Sequence, residues 1–463
     1  MKASKILIFI IAVFSLMGFL GYAMPSEGIS VGEWNFKFPS FSDLMKDDNS
    51  EECEPEPEEE KIAPPVKQLS ELEKRRIDAL NSPYAIKFPN NEIEWMDDVF
   101  AAFENADLEP VRVPHYGDSQ IEEDRMSSTL RARLQEKFGG YGPGLVPAVQ
   151  SIASSAIGRS NSAELPVYMV YGGNTTEKLE SRRYGVLGQV AELNGSCTFS
   201  FYRVQLKTTQ EGTKQFGNIT VLLDDVKSTV TASVRAGRHS QTKTAAPGEH
   251  FIKFNLPDST RRASVTLSGN TMIHGFILDG AINGIAVDNG AMRGCSGTVF
   301  TSINRESLKL YYNRYNVPLI IMQYGGNSVP YVKSDKNIAT YCRSIARQID
   351  YLKRVSPKSK ILFVGPSDMA TNVNGSKQTY PHLPKLIKSL KDSCNAHGAA
   401  YWDLYKAMGG KNSMAEWAKS SPRLAGSDHI HFTPLGASKA GEMIFDGIMS
   451  AYDFYEFRKT HNK

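Results

Sequence analysis

The spacing of apolar residues changes character along this chain. Val111 to His115 is a short apolar run of strand length, and Met126, Leu130, Leu134 and Phe138 follow at four-residue steps. That spacing predicts one stripe of an amphipathic helix, with Arg125, Arg131, Arg133 and Lys137 lying off it and Gly139-Gly140 as its end. From about Ser160 to Asp279 the period falls to two. Cys197–Val204, Ile219–Leu223, Thr229–Arg235, Phe251–Leu256 and Ala263–Leu267 alternate, are rich in Val, Thr and Phe, and are parted by turn formers as in a β-sandwich. From about Gly284 longer periods return. Val317–Gln323, Lys360–Val364 and Ala399–Asp403 have the length and composition of buried strands. Helical series such as Ile338, Cys342, Ile345, Ile349, Leu352 and Leu383, Ile387, Leu390, Cys394 separate them. Strands alternating with helices predict an α/β domain with a parallel sheet covered on both faces. This domain is expected in two segments, 83–150 and 285–455, interrupted by an inserted all-β sandwich module at 155–284.

Charge changes the picture at the N-terminus. Lys2 and Lys5 precede an uncharged run from Ile6 to Met24, close to the roughly 20 residues that span a bilayer. Basic residues before the run and acids after it place the body outside the cytoplasm. Residues 1–24 are therefore expected to contact a membrane, either as an uncleaved signal anchor or as a cleaved signal peptide. The body is then exported, to the periplasm or cell envelope. Residues 25–82 include DDNSEECEPEPEEEK, whose like charges and prolines cannot bury enough apolar surface to fold. They read as an acidic, largely disordered tether. The formal net charge of +3 conceals this asymmetry: residues 1–61 hold 5 Lys/Arg against 12 Asp/Glu, and the remainder holds 48 against 38. The 41% hydrophobic and 22% charged residues otherwise describe an ordinary globular chain. Five scattered cysteines, Cys53, Cys197, Cys295, Cys342 and Cys394, form neither a disulfide framework nor a zinc pattern. Cys342 and Cys394 lie in helical apolar series and are expected in the core.

Candidate chemistry begins at His115-Tyr116-Gly117-Asp118-Ser119-Gln120, where the first strand ends and a helix is about to begin. In an open parallel sheet ligands bind beyond the carboxyl ends of the strands. Ser119 there has its hydroxyl over the sheet edge, although an isolated Ser in such a place also serves as a helix cap. A serine nucleophile needs a base, and the base an orienting acceptor. Ser427-Asp428-His429-Ile430-His431 supplies both, with Asp428 facing His431 Nδ1 and His431 Nε2 facing Ser119. Two further loops offer oxyanion donors. Asn327 follows the run ending at Gln323, and Gly294 or Gly297 lies in Arg293-Gly294-Cys295-Ser296-Gly297-Thr298. His115 reads as a satisfied strand-end histidine, Asp118 as fixing its loop, and Trp402 and Trp417 as core or pocket wall. Two imidazoles, His429 and His431, with one carboxylate make a poor zinc site, so neither metal nor cofactor is expected.

With these residues in order, the chain resembles the SGNH (GDSL-type) hydrolase superfamily. Its blocks stand here as Gly117-Asp118-Ser119, the glycine block Gly294–Gly297, Gly325-Gly326-Asn327, and Asp428 to His431. Gln120 replaces the usual Leu after the serine, and GGNS stands where many members have GxND. GCSGT favours Gly297 over Gly294 as the second-block donor. The inserted β module resembles the carbohydrate-binding-module-like insertion of exported peptidoglycan O-acetylesterases and related polysaccharide esterases. HYGDSQ, FGGYGPG, GPSDM and SDHIHFT are similar to that subgroup too. The resemblance implies a flavodoxin-like three-layer fold and a Ser119–His431–Asp428 triad, with an oxyanion hole from Ser119, Gly297 and Asn327. It further implies an O-acetylated glycan as substrate, peptidoglycan first, and no cofactor. An O-acetyltransferase or a general lipase or esterase would use the same triad, and a non-catalytic glycan-binding envelope protein is the alternative of another class. Dispersed basic residues and the lack of a nucleic-acid-binding motif exclude nucleic acid as a partner.

Overall fold

A computed structural model describes residues 69–461 except 174–175 and 205–214, together with residues 12, 13, 15, 19, 22, 29–31 and 34–36. The chain divides into two units, Met1–Gln68 and Leu69–Lys463. In the first, Ile29–Val31 pairs antiparallel with Trp34–Phe36. Most of the expected membrane segment, the acidic run 47–61 and Cys53 lie outside the described residues. Among the described residues no helix is long and apolar enough to cross a membrane.

The second unit opens with a helix, Glu71–Asn81, inside the stretch read from sequence as the end of the tether. A capping box explains it: Glu73 N–H donates to Ser70 Oγ at 3.2 Å, and Ser70 N–H donates to Glu73 Oε2 at 2.8 Å.

Five parallel strands form the central sheet: β1 (Val111–Gly117), β2 (Ile285–Ala291), β3 (Leu319–Gln323), β4 (Lys360–Val364) and β5 (Ala400–Trp402). Their order is β2-β1-β3-β4-β5, and every pairing is parallel. This is the doubly wound, flavodoxin-like arrangement, whose switch point lies between β1 and β3. Alternate side chains serve two cores. Val111, Val113, Val287, Ile321 and Leu362 meet Met126, Leu130 and Leu134 on one face. Tyr116, Ile320, Met322 and Phe363 meet Ile338, Ile345, Leu386 and Leu390 on the other. The helices behind these contacts are Arg125–Phe138, Asp335–Val355 and Leu383–Ala396, and Pro434–His461 closes the first face. The period-3.6 series thus lie where their spacing places them. Cys342 and Cys394 are buried in the second core, and Cys197, Cys295, Cys342 and Cys394 are all unpaired.

The inserted module is a nine-stranded antiparallel sheet around its own apolar core. Its long strand, Arg262–Asp279, links the layers. Residues Arg262–Ile273 pair with strand Gln189–Arg203, and Met272–Asp279 pair with Phe216–Asp224 across a register shift between Ile273 and Gly275. Gly144–Val146 also pairs with Phe276–Leu278, so hydrogen bonding to the module starts before residue 155. A buried ion cluster ties module to sheet. Arg112 on β1 binds Asp288 on β2 at 2.9 and 2.5 Å and Asp279 at the module's end at 2.5 Å, and Tyr311 donates to Asp288. Burial pushes the Asp288 carboxyl up, but the Arg112 charge and these bonds hold it below its ordinary value. Removing Arg112 would leave two carboxylates without their cation, a costly state.

Candidate active site

β1 carries the nucleophile to the switch point. All seven of its residues are buried. On the face shared with Val111 and Val113 sits His115, wholly buried, with Nε2 3.0 Å from Gln323 Oε1 and Nδ1 3.0 Å from Ser127 Oγ. Burial lowers its pKa to about 4, so at neutral pH the ring is uncharged. Both nitrogens are engaged below the loop, which makes His115 the satisfied strand-end histidine expected.

Past Gly117 the chain turns, and Asp118 organises the turn. Its Oδ1 accepts from Gln120 N–H at 3.0 Å and its Oδ2 from Asn327 Nδ2 at 3.0 Å. Asp118 is 3% exposed, and burial raises its pKa to about 6 despite the lowering effect of these bonds. The following helix starts only at Arg125, after Glu123 and Asp124 at φ 59° and 62°. Ser119 is therefore neither a helix cap nor at the helix N-terminus, contrary to the sequence reading of a helix beginning directly behind it. Arg131, off the apolar stripe, is fully buried: it grips Asp124 at 2.6 and 2.9 Å and donates to Val287 O at 2.7 Å.

The base arrives from the loop before the last helix. Ser119 Oγ is 2.9 Å from His431 Nε2, and His431 Nδ1 is 2.7 Å from Asp428 Oδ2. Asp428 divides its work between oxygens. Oδ1 accepts from the backbone N–H groups of Ile430 and His431, at 3.0 and 3.1 Å, and so shapes the loop that presents the ring. Burial pushes the Asp428 pKa up, but the His431 bond and the two N–H bonds outweigh it and hold the carboxyl below its ordinary value. His429 points elsewhere, with Nδ1 2.8 Å from Ser427 O. Among the described residues no group of three or more His, Cys, Asp or Glu side chains could hold a metal ion.

Two clamps escaped the sequence reading. Gln120 Nε2 donates to Ile430 O at 2.6 Å, and Arg125 Nη1 donates to Phe432 O at 3.1 Å. Both reach from the nucleophile's segment to the backbone flanking His431. The sequence signal for Gln120 was its departure from the usual Leu; a leucine has no donor for Ile430.

The glycine loop and Asn327 lie beside the serine, with different hydrogen bonding from that expected. Gly297 has φ +78°, and a Cβ there would meet the Tyr324 ring at 2.5 Å, so only glycine fits. Its N–H, however, donates to Cys295 Sγ at 3.3 Å. Asn327 Nδ2 gives one proton to Asp118 and the other to Cys295 O at 3.2 Å. The N–H groups of Ser119 and Gly294 have no acceptor among the described residues, and Gly294 faces open space at φ +73°. Of the two candidate glycines, Gly297 thus has its N–H engaged and Gly294 has its N–H unengaged among the described residues. Trp402 is buried with Nε1 bonded to Tyr84 O at 2.9 Å, and Trp417 packs on Phe432, so both are core residues.

A peptidoglycan O-acetylesterase of known structure superposes on 81% of this chain and 97% of its own, with a TM-score of 0.62 and 18% identity. The chain has the fold of that esterase. It is the SGNH-type α/β fold with an inserted β module that the ordered blocks imply. A family two carbohydrate esterase from Clostridium thermocellum, solved with cellohexaose, aligns over 57% of this chain and 95% of its own at 10% identity. The TM-score of that alignment is 0.27. No protein-family model and no curated protein sequence matches the chain.

Proposed function

We propose that this chain is a serine esterase that removes O-acetyl groups from a cell-wall or extracellular polysaccharide, peptidoglycan foremost. The observation that carries this reading is the hydrogen-bonded line Asp428–His431–Ser119 at the sheet's switch point. The fold shared with a peptidoglycan O-acetylesterase supports the choice of substrate.

In this mechanism His431 Nε2 takes the Ser119 proton as Oγ attacks the acetyl carbonyl. Asp428 holds Nδ1–H toward itself and stabilises the imidazolium that forms. Charge growing on the carbonyl oxygen is met by the N–H groups of Ser119 and Gly294. It is also met by Asn327 once its amide exchanges the longer of its two bonds, that to Cys295 O, for the oxyanion. The imidazolium then protonates the departing sugar hydroxyl, leaving acetyl-Ser119. Water, deprotonated by His431, cleaves that ester and releases acetate. A sugar hydroxyl in place of water would make the same site a transferase. Lys2, Lys5 and the apolar run behind them support export, with the body working on the cell envelope.

The test is acetate release from O-acetylated peptidoglycan, acetylated xylan and an activated acetyl ester. Faster release from peptidoglycan than from xylan is expected. Turnover of the activated ester with no release from either polymer would contradict the reading and point to a general esterase.

A further inference from the structure

A cavity of about 320 Å³ opens beside the nucleophile loop, where the sheet and the inserted module meet. Glu122, whose N–H donates to Ser119 O, lines it together with Arg293, the neighbour of Gly294. Leu145 and Leu187 give it apolar wall, and Arg159 enters from module strand Ile157–Asn161.

The charges around this cavity are matched, with one exception. Arg293 binds Glu122 at 2.7 and 2.5 Å, Arg131 binds Asp124 at 2.6 and 2.9 Å, and Arg125 lies 3.6 Å from Glu123. Each carboxylate has its own guanidinium. Arg159 has no ion-pair partner among the described residues. Its Nη1 donates to Pro147 O at 2.5 Å, and its buried Nε has no hydrogen-bond partner. Burial lowers its pKa to about 10, against the pull of Asp124, so it is still protonated at neutral pH. A part-buried cation without a carboxylate partner is costly, and the planar guanidinium that lines the cavity is shaped to receive one.

We propose that Arg159 receives a carboxylate carried by the acetylated glycan, making this cavity an acid-recognising subsite beside the ester-cleaving centre. The inference rests on the glycan-esterase reading and narrows its substrate to acidic polymers. Peptidoglycan offers the required group from two sources: the lactyl carboxylate of a muramic residue without its peptide, or a carboxylate of the peptide stem. Unsubstituted acetylated xylan has neither.

The experiment measures KM for acetate release by the full chain from two O-acetylated muropeptides, one with its stem and one freed of it by an amidase. Each is compared with its methyl-esterified form. Wild type should show a KM lower by about tenfold for the free acids, the scale of one charge-assisted hydrogen bond. Arg159→Gln should lose that preference and Arg159→Lys should keep part of it, with melting curves checking that both fold. A preference confined to the stem-bearing substrate assigns the carboxylate to the stem, and one confined to the stem-free substrate assigns it to the lactyl group. Either supports the proposal. Equal KM values for acid and ester forms in wild type would overturn the subsite alone. Turnover of p-nitrophenyl acetate with no acetate from any muropeptide would overturn the glycan-esterase reading and the subsite with it.

Discussion

The two halves of the catalytic line are built by different means. On the nucleophile side β1 is buried throughout, and Asp118 and Gln120 are 3% and 8% exposed. On the base side the Asp428 and His431 side chains are 47% and 40% exposed. Packing fixes the first half, whereas hydrogen bonds hold the second: those within the Asp428 turn and the clamps from Gln120 and Arg125. The difference teaches that the rigid half positions the open one. An exposed loop with its own cap keeps its shape, but its distance from Ser119 is set by donors that reach across from the buried side.

The strongest way to break the exposed half is His431→Ala. It should cut turnover of an activated acetyl ester by about 10⁴-fold or more, since triad members act as a unit. Little change in melting temperature is expected, because the ring is part-exposed. Asn327→Ala should cost about 10²–10³-fold in kcat, the usual effect of an oxyanion donor. It should also free Asp118 Oδ2 and thereby loosen the buried half, which lower protection of the Gln120 amide from hydrogen exchange would report.

The buried half carries a pH cost at neutrality. Asp118 has a folded-state pKa near 6, above its ordinary 3.8, so the folded chain holds this proton more tightly than the unfolded one. Its favourable contribution is complete below about pH 4 and is lost as pH rises through about 6, with a ceiling of about 3 kcal/mol. Asp118→Asn should flatten this part of the stability profile in urea unfolding at pH 4.5 and 7. An unchanged slope would place the titration elsewhere. The smallest effect tests the clamp between the halves. Gln120→Leu should lower kcat about tenfold, in keeping with the loss of a single positioning bond, with KM for a small ester nearly constant. A wild-type kcat would show that the His431 loop positions itself.

Much of the buried half was legible in the sequence. The apolar runs at 111–115, 317–323 and 360–364 are central strands, and ordered blocks at Ser119, Asn327 and Asp428–His431 meet at their carboxyl ends. Local period and motif order carry that information because strands and their loops are contiguous. The clamps did not show, since Gln120 and Ile430 lie 310 residues apart and no local pattern encodes the contact. Arg131 was placed only by its charge and its position off the stripe, whereas Asp124 at a left-handed φ brings a carboxylate back over it. The helix at Glu71–Asn81 was hidden by its acidic neighbours although its signal, Ser70 followed by Glu73, was in plain view. The engagement of the glycine loop was not legible either: a thiol two residues earlier accepts the Gly297 N–H, a contact that the spacing of GCSGT does not encode.

The most direct test of the account is Ser119→Ala, assayed for acetate release from O-acetylated peptidoglycan beside wild type at equal concentration and with matched melting temperatures. The account predicts that wild type releases acetate and that the folded variant loses at least about 10⁴-fold in rate. A folded Ser119→Ala variant that releases acetate at the wild-type rate would contradict it.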